Sequence, residues 1–368
     1  MTEEPIDLGR VDSVSSSTYT VRTDRPESDG TLRWDSTTIV VVEARGGGRA
    51  GLGYSYTDAA AAHLIDGVLA PVVTGRPIDG TGSSWAAMVD ALRNIGRPGL
   101  GSAALSAVDI ALWDLKARLL HVPVATLTPA FHDTVPVYGS GGFTSYSDAE
   151  LQEQLSGWVE QGIGSVKMKV GREPDRDEAR VRTARAAIGN AGLFVDANGA
   201  WTRKQALSFA ERFAEYGVTW LEEPVTSDDL DGLRLLRDRS PACMDVSAGE
   251  YGYDLPHFRR MLAAGAVDCL QADVTRCGGI TGFLAVGALC DSHTLDLSSH
   301  TAPSVSAHAC AGVWHLRHLE YFHDHVRLEH LLFDGALTAV SGRINPGDGG
   351  PGLGLQFKTQ DAEAYRVA

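Results

Sequence analysis

The stretch 193-LFVDANGAWTRKQALSFAERFAEYGVTWLEEP-224 decides the fold. It opens on a short apolar run that ends in an acid, Asp196. Thr202 and Gln205 then form a capping box ahead of Leu207, Ala210 and Phe213 at helical spacing, and Gly217 stops the run. A second apolar run, TWLEEP, ends in Glu222, and a third, DVSAGE, ends in Glu250. The three acids lie 26 and 28 positions apart. A strand of about 5–6 residues, a helix of about 11–12 and two short loops fill such an interval. Each carboxylate therefore closes an equivalent βα unit, and the three can converge on one place.

Extending this pattern in both directions gives eight strand candidates from Val135 onward: VPVYGS, SVKMKV, LFVDAN, TWLEEP, DVSAGE, DCLQAD, LDLSSH and HLEYF. Helical stretches separate them. Ser147 and Glu150 make a second capping box before Leu151, Leu155, Trp158 and Val159, with Gly162 as the stop. The reading is α/β, a TIM-like (β/α) barrel, with an open doubly wound sheet as the alternative.

Composition shifts near residue 130. Ahead of it, VDSVSSSTYTVRT and STTIVVVEARGGG read as strands joined by a polar loop, DRPESDGTLRWD, expected to be mobile. Helical patterns follow at 57–72 and 84–93. A longer one, 102–120, is apolar on more than one face and is expected to be sandwiched. Residues 1–130 are thus expected to form an α+β domain ahead of the barrel.

At 368 residues, 43% hydrophobic and 21% charged, the chain can bury one large core and a smaller one. A net charge of −15 with no basic run argues against nucleic acid and anionic membranes as partners. Five cysteines without a CxxC, and an N-terminus without a signal pattern, point to the reducing cytoplasm. No apolar stretch approaches the ~18 residues of a membrane span.

A barrel places chemistry at the C-terminal ends of its strands. There the sequence puts Ser140, Lys167 with Lys169, Asp196 with Asn198, Glu222 with Glu223, Glu250, Asp273, His300 and Glu320. Alternation sends Lys167 and Lys169 inward together and separates Glu222 from Glu223, so only Glu222 is expected among the metal ligands. One acid at a strand end is commonly a salt-bridged structural residue. Three converging acids would repel one another, a conflict that a hard divalent cation with oxygen ligands removes, and Mg2+ fits best. Two lysines on one face, both desolvated, are expected to depress each other's pKa and leave a neutral amine able to act as a base. Asp273 could fix the tautomer of His300 and free its other nitrogen to move a proton.

KMK (Lys167, Lys169), DAN (Asp196, Asn198), EEP (Glu222), GE (Glu250), Asp273 with SSH (His300), HLE (Glu320) and the helix AVDIALWDLKA resemble the enolase superfamily, mandelate racemase subgroup, over essentially the whole chain. The resemblance implies a capping domain over 1–130, a (β/α)7β barrel over 131–340 and a C-terminal segment, 341–368, returning to the cap. It also implies Mg2+ on Asp196, Glu222 and Glu250, with Lys169 as the base on one face of the substrate. His300, oriented by Asp273, would be the acid or base on the other. Lys167 would neutralise the substrate carboxylate, Glu320 would donate to it if protonated, and Asn198 and Ser140 would line the site. A Lys or His base working with Mg2+ on an enediolate is a documented property of that superfamily. Relatives of the muconate cycloisomerase and dipeptide epimerase types carry a lysine where this chain has Asp273, so the dyad favours the mandelate racemase type.

The expected substrate is a small carboxylate, an acid sugar or 2-hydroxy acid, and the family usually forms homo-oligomers. By analogy the favoured reaction is dehydration of an acid sugar, with racemisation or epimerisation as the alternative. Arg22, Arg25, Arg33 and Trp34 could meet the substrate's distal end, or form a solvated lid. The HDH of His323–His325 invites a zinc-hydrolase reading, but such barrels place HxH on the first strand, where this chain has YGSGG. A non-catalytic barrel should have lost part of the constellation.

Overall fold

The computed structural model describes residues 7–367. Three antiparallel strands open the chain: β1 (Val11–Ser28), β2 (Arg33–Gly46) and β3 (Arg49–Tyr56). The segment read as a mobile loop is instead the far end of the β1–β2 hairpin. Glu27 pairs with Trp34 and Ser28 with Arg33, beyond a register shift that absorbs Pro26. Only residues 29–32 form the turn, with Asp29 accepting from the backbone N–H groups of Thr31 and Leu32 at 2.6 Å each. Polar composition hid these strands because the arm projects beyond the cap's core, where a strand needs no apolar face.

The third strand was also missed. Its glycines permit a close approach by the helix Leu100–Leu119: a Cβ on Gly53 would stand 2.1 Å from the Ala107 carbonyl oxygen, and one on Gly51 2.3 Å from that of Ala111. The helix is buried nearly all round, as its sequence predicts. One face packs with Val40, Val42 and Ala44 in the core of the cap, closed by Ile65, Leu69, Val73 and Met88. Asp109 reaches the barrel, accepting from the Thr281 N–H at 2.9 Å and its hydroxyl at 2.7 Å. Asp114 accepts from the N–H groups of Leu52 and Leu353, 2.6 Å each, joining β3 to the C-terminal segment.

The eight expected strands form one parallel sheet in chain order: β4 (Val135–Gly141), β5 (Ser165–Lys169), β6 (Gly192–Asp196), β7 (Val218–Glu222), β8 (Asp245–Ala248), β9 (Cys269–Asp273), β10 (Asp296–His300) and β11 (Leu316–Phe322). Pairing of Leu319 with Val137 and Glu320 with Tyr138 closes it into a barrel. Both capping boxes are present, on the helices Asp148–Glu160 and Arg203–Ala214. The floor of the barrel is aromatic, with Tyr138, Phe194 and Trp220 clustered around the His318 ring. Among the described residues no helix is long and apolar enough to cross a membrane. All five cysteines are free.

Candidate active site

Register explains the convergence. Lys169, Asp196 and Glu222 are Cα partners across β5, β6 and β7, so their side chains share one level of the barrel. Glu250 lies two residues past the end of β8. Gly249, at φ +136° and with space for a Cβ denied by the Gln271 carbonyl oxygen at 2.1 Å, turns the chain so that Glu250 points back to the axis. Asp196, Glu222 and Glu250 are buried and each offers an oxygen within 4.8 Å of the others. Three hard oxygen donors without thiolate or imidazole suit Mg2+.

Below them lies a web of charge. The Lys167 ammonium, fully buried, contacts Glu222, Glu320 at 2.8 Å and Asp196 at 3.6 Å. Glu222 also accepts from Trp220 Nε1 at 2.8 Å and Gln271 Nε2 at 3.2 Å. Lys169 donates to Asp196 at 2.5 Å. Burial pulls both ammonium groups down, yet the adjacent carboxylates outweigh it and hold both lysines above their usual range. The expected mutual depression is therefore corrected: each lysine stands nearer to acids than to a bare positive charge. For Glu320 the expectation was a proton donor on condition that it is protonated, and its surroundings here favour the charged form. Burial raises its pKa, but Lys167 and His300 prevail and keep it ionised, while Ser140 donates to it at 2.5 Å. Ser140 thus braces Glu320 and is absent from the cavity wall.

Glu223 departs from strand alternation. Only Glu222 joins the carboxylate cluster, but Glu223, at φ +39°, is buried close enough to Glu250 and Asp196 that burial and their charge push its carboxyl pKa well up. A left-handed residue at a strand end leaves no periodic signal in the sequence.

On the other side His300 Nδ1 bonds Asp273 at 2.7 Å, and its Nε2 lies 3.2 Å from Glu250 and 3.5 Å from Glu320. Burial lowers the imidazole pKa, but Glu250, Glu320 and Asp273 together raise it to about 10. Asp273 is itself anchored by the Thr275 N–H and hydroxyl, 2.7 Å each. Arg276, which was not singled out from sequence, spans Glu250 at 3.5 Å and Asp273 at 3.4 Å, under the Tyr251 ring.

Lys169, Asn198, Glu250, Arg276 and His300 open into a cavity of about 530 Å³ roofed by the cap. Asn198 adopts φ +46° and donates its N–H to Asp196 at 2.9 Å. Trp34 reaches the cavity, but Arg33 is exposed and does not line it. Arg22 and Arg25 are also exposed, paired with Asp35 and Glu150. Strand alternation turns Arg33 outward where Trp34 turns in. The histidines of the HDH run separate: His323 pairs with Asp24 at 3.1 Å, whereas His325 lines the cavity.

Residues 150–362 match the family described as enolase C-terminal domain-like, and residues 17–128 the mandelate racemase/muconate lactonizing enzyme N-terminal domain. A 3,6-anhydro-alpha-L-galactonate cycloisomerase of Streptomyces coelicolor is 33% identical, aligned over 84% of this chain and 87% of its own. A mandelate racemase/muconate lactonizing enzyme-like protein of Rubrobacter xylanophilus superposes with a TM-score of 0.96 at 57% identity, over 97% of this chain and all of its own. L-talarate/galactarate dehydratase of Salmonella typhimurium, liganded with Mg and L-lyxarohydroxamate, gives 0.89 at 27% identity, over all of this chain and 96% of its own.

Proposed function

The chain belongs to the mandelate racemase/muconate lactonizing enzyme family of the enolase superfamily, and from that membership we propose that it dehydrates an acid sugar to a 2-keto-3-deoxy acid, with Mg2+ on Asp196, Glu222 and Glu250. It is an enzyme of the lyase or isomerase kind. The observation that carries the reading is the placement of two proton-moving groups beside one carboxylate triad: Lys169 leans on Asp196 and His300 on Glu250, and both line the same cavity.

An α-proton beside a carboxylate is barely acidic, so its removal needs a base on one side and strong charge complementarity on the other. When bound, the metal ion supplies positive charge to the substrate carboxylate and to the charge that builds on it during deprotonation. Lys169 takes the C2 proton in its amine form, which it would reach once Asp196 is committed to the metal ion and no longer holds the ammonium. Lys167, between Glu222 and Glu320, adds fixed positive charge beneath the carboxylate. His300, its Nδ1 held by Asp273, directs Nε2 to the opposite side and hands a proton to the departing C3 hydroxyl. The C2–H and C3–O bonds break, water leaves, and the enol tautomerises to the 2-keto acid. The same two groups would serve epimerisation if His300 returned its proton to C2.

The test is incubation of mono- and diacid sugars with Mg2+ in deuterium oxide. Dehydration gives a 2-keto product, epimerisation a change in optical rotation without one. Lys169→Met should abolish α-proton exchange. Exchange that survives the substitution rejects Lys169 as the base.

A further inference from the structure

We infer that the distal part of the site is built for an uncharged polyhydroxyl tail, which makes the substrate a sugar monocarboxylate rather than a diacid, with His325 donating to one of its hydroxyls. The inference rests on the acid-sugar reading above and narrows it.

The cavity has two unlike halves. Its inner half carries Lys169 and the triad. Its outer half is supplied by the cap: the hydroxyls of Ser36, Thr37, Thr38 and Thr57 and the carboxylates of Asp29 and Asp58. Among the described residues, the cavity's lining holds no lysine or arginine besides Lys169 and Arg276. Arg276 is already shared between two acids: its guanidinium lies 3.5 Å from Glu250 and 3.4 Å from Asp273 and donates to the Glu250 carbonyl at 3.3 Å, so its charge is largely balanced before any substrate carboxylate arrives. A carboxylate on the far end of the substrate would therefore lose its hydration without a cation in exchange, and would stand near two acids. A hydroxyl tail meets none of these penalties, because each hydroxyl can either donate or accept against the same wall.

His325 sharpens the picture. The Ala302 N–H donates to its Nδ1 at 3.4 Å, so the neutral ring carries its hydrogen on Nε2. The ring is clamped by stacking on Tyr56, centroids 3.4 Å apart, and by the edge of Phe322 at 5.1 Å. Burial above all, then the nearby positive charge of His300, lowers its pKa to about 3, so it stays a neutral donor. No protein acceptor for Nε2 occurs among the described residues, and the residue faces the cavity. A rigid neutral N–H suits a hydroxyl oxygen and gives a carboxylate little compensation for lost water.

The experiment compares aldonates with aldarates of matched configuration across the C2–C5 stereoisomers, with Mg2+ present. The expected result is a kcat/KM favouring the aldonate of the reactive pair by at least ~100-fold. An aldarate turned over equally well or better overturns the inference and leaves the acid-sugar reading standing. If no member of the panel exchanges its α-proton, the acid-sugar reading itself fails. His325→Asn keeps an acceptor for the Ala302 N–H and removes the Nε2 donor. It should raise KM about tenfold with kcat little changed, measured well below a thermal midpoint that loss of the Tyr56 stack will lower; an unchanged KM rejects the role of His325.

Discussion

Asp273 accepts from Thr275 twice and from His300 once, so its carboxylate is fixed before any substrate arrives. Asp273→Asn would still fill the space but would no longer specify which imidazole nitrogen keeps the hydrogen. We expect kcat to fall by about 100-fold or more with KM little altered. Steady-state kinetics on the best acid sugar decide it, and an unchanged kcat would remove the dyad from proton transfer. At this scale the sequence was legible where a residue's place in the barrel follows from its strand position. Lys169, Asp196, Glu222, Asp273 and His300 each close their strand, and Lys167 shares the inward face of β5 with Lys169. Legibility failed where energy depends on neighbours distant in sequence. The lysines are raised rather than lowered, and Glu320 is held toward its ionised form, because each acquires partners 20 or more positions away. Glu223 eluded alternation through a single backbone angle.

Among the elements, those with local signals were read best. Both capping boxes involve residues three apart and needed nothing else. The arm of the β1–β2 hairpin and the strand β3 have no such signal, since one is stabilised by docking and the other by a helix lying against its glycines. The hairpin tip rests on the barrel: Thr144 N–H donates to Ser28 O at 2.8 Å, Arg172 donates to the Asp29 and Leu32 carbonyls at 2.9 and 2.7 Å, and Gly30 has no room for a Cβ, with Ala197 O 2.2 Å away. Gly53 is equally crowded, but against the cap's central helix. Gly53→Ala should cost about 1–3 kcal/mol of stability by forcing that helix off the sheet. Denaturant midpoints measure this, and a loss below about 0.5 kcal/mol would show that the contact relaxes freely.

For the molecule as a whole, two global responses follow. Mg2+ that binds only the folded chain should stabilise it by about 2.7 kcal/mol at a hundred times its Kd. A thermal-shift titration should rise with Mg2+ and flatten in Glu222→Gln, whereas an equal shift in both would place the ion elsewhere. His308 is buried and its pKa is lowered by burial from 6.5 to about 4. The unfolded chain thus binds the extra proton between those values, so the contribution of His308 is present above pH 6.5 and is lost on acidification toward pH 4, by up to about 3 kcal/mol. His308→Gln should lose less stability than the parent between pH 7 and 5, read as the difference in thermal midpoints.

The ring closure between β4 and β11 also has a meaning in time. The first barrel strand leaves the ribosome about 180 residues before its last neighbour, which at 5–20 residues per second is a wait of roughly 10–40 s. Throughout that interval β4 carries one bare edge able to pair with a foreign strand, and Lys167 lacks Glu320. A ribosome-stalled chain ending before Leu316 should therefore be both inert and dependent on chaperones, because the strand that covers this edge and carries Glu320 is still missing.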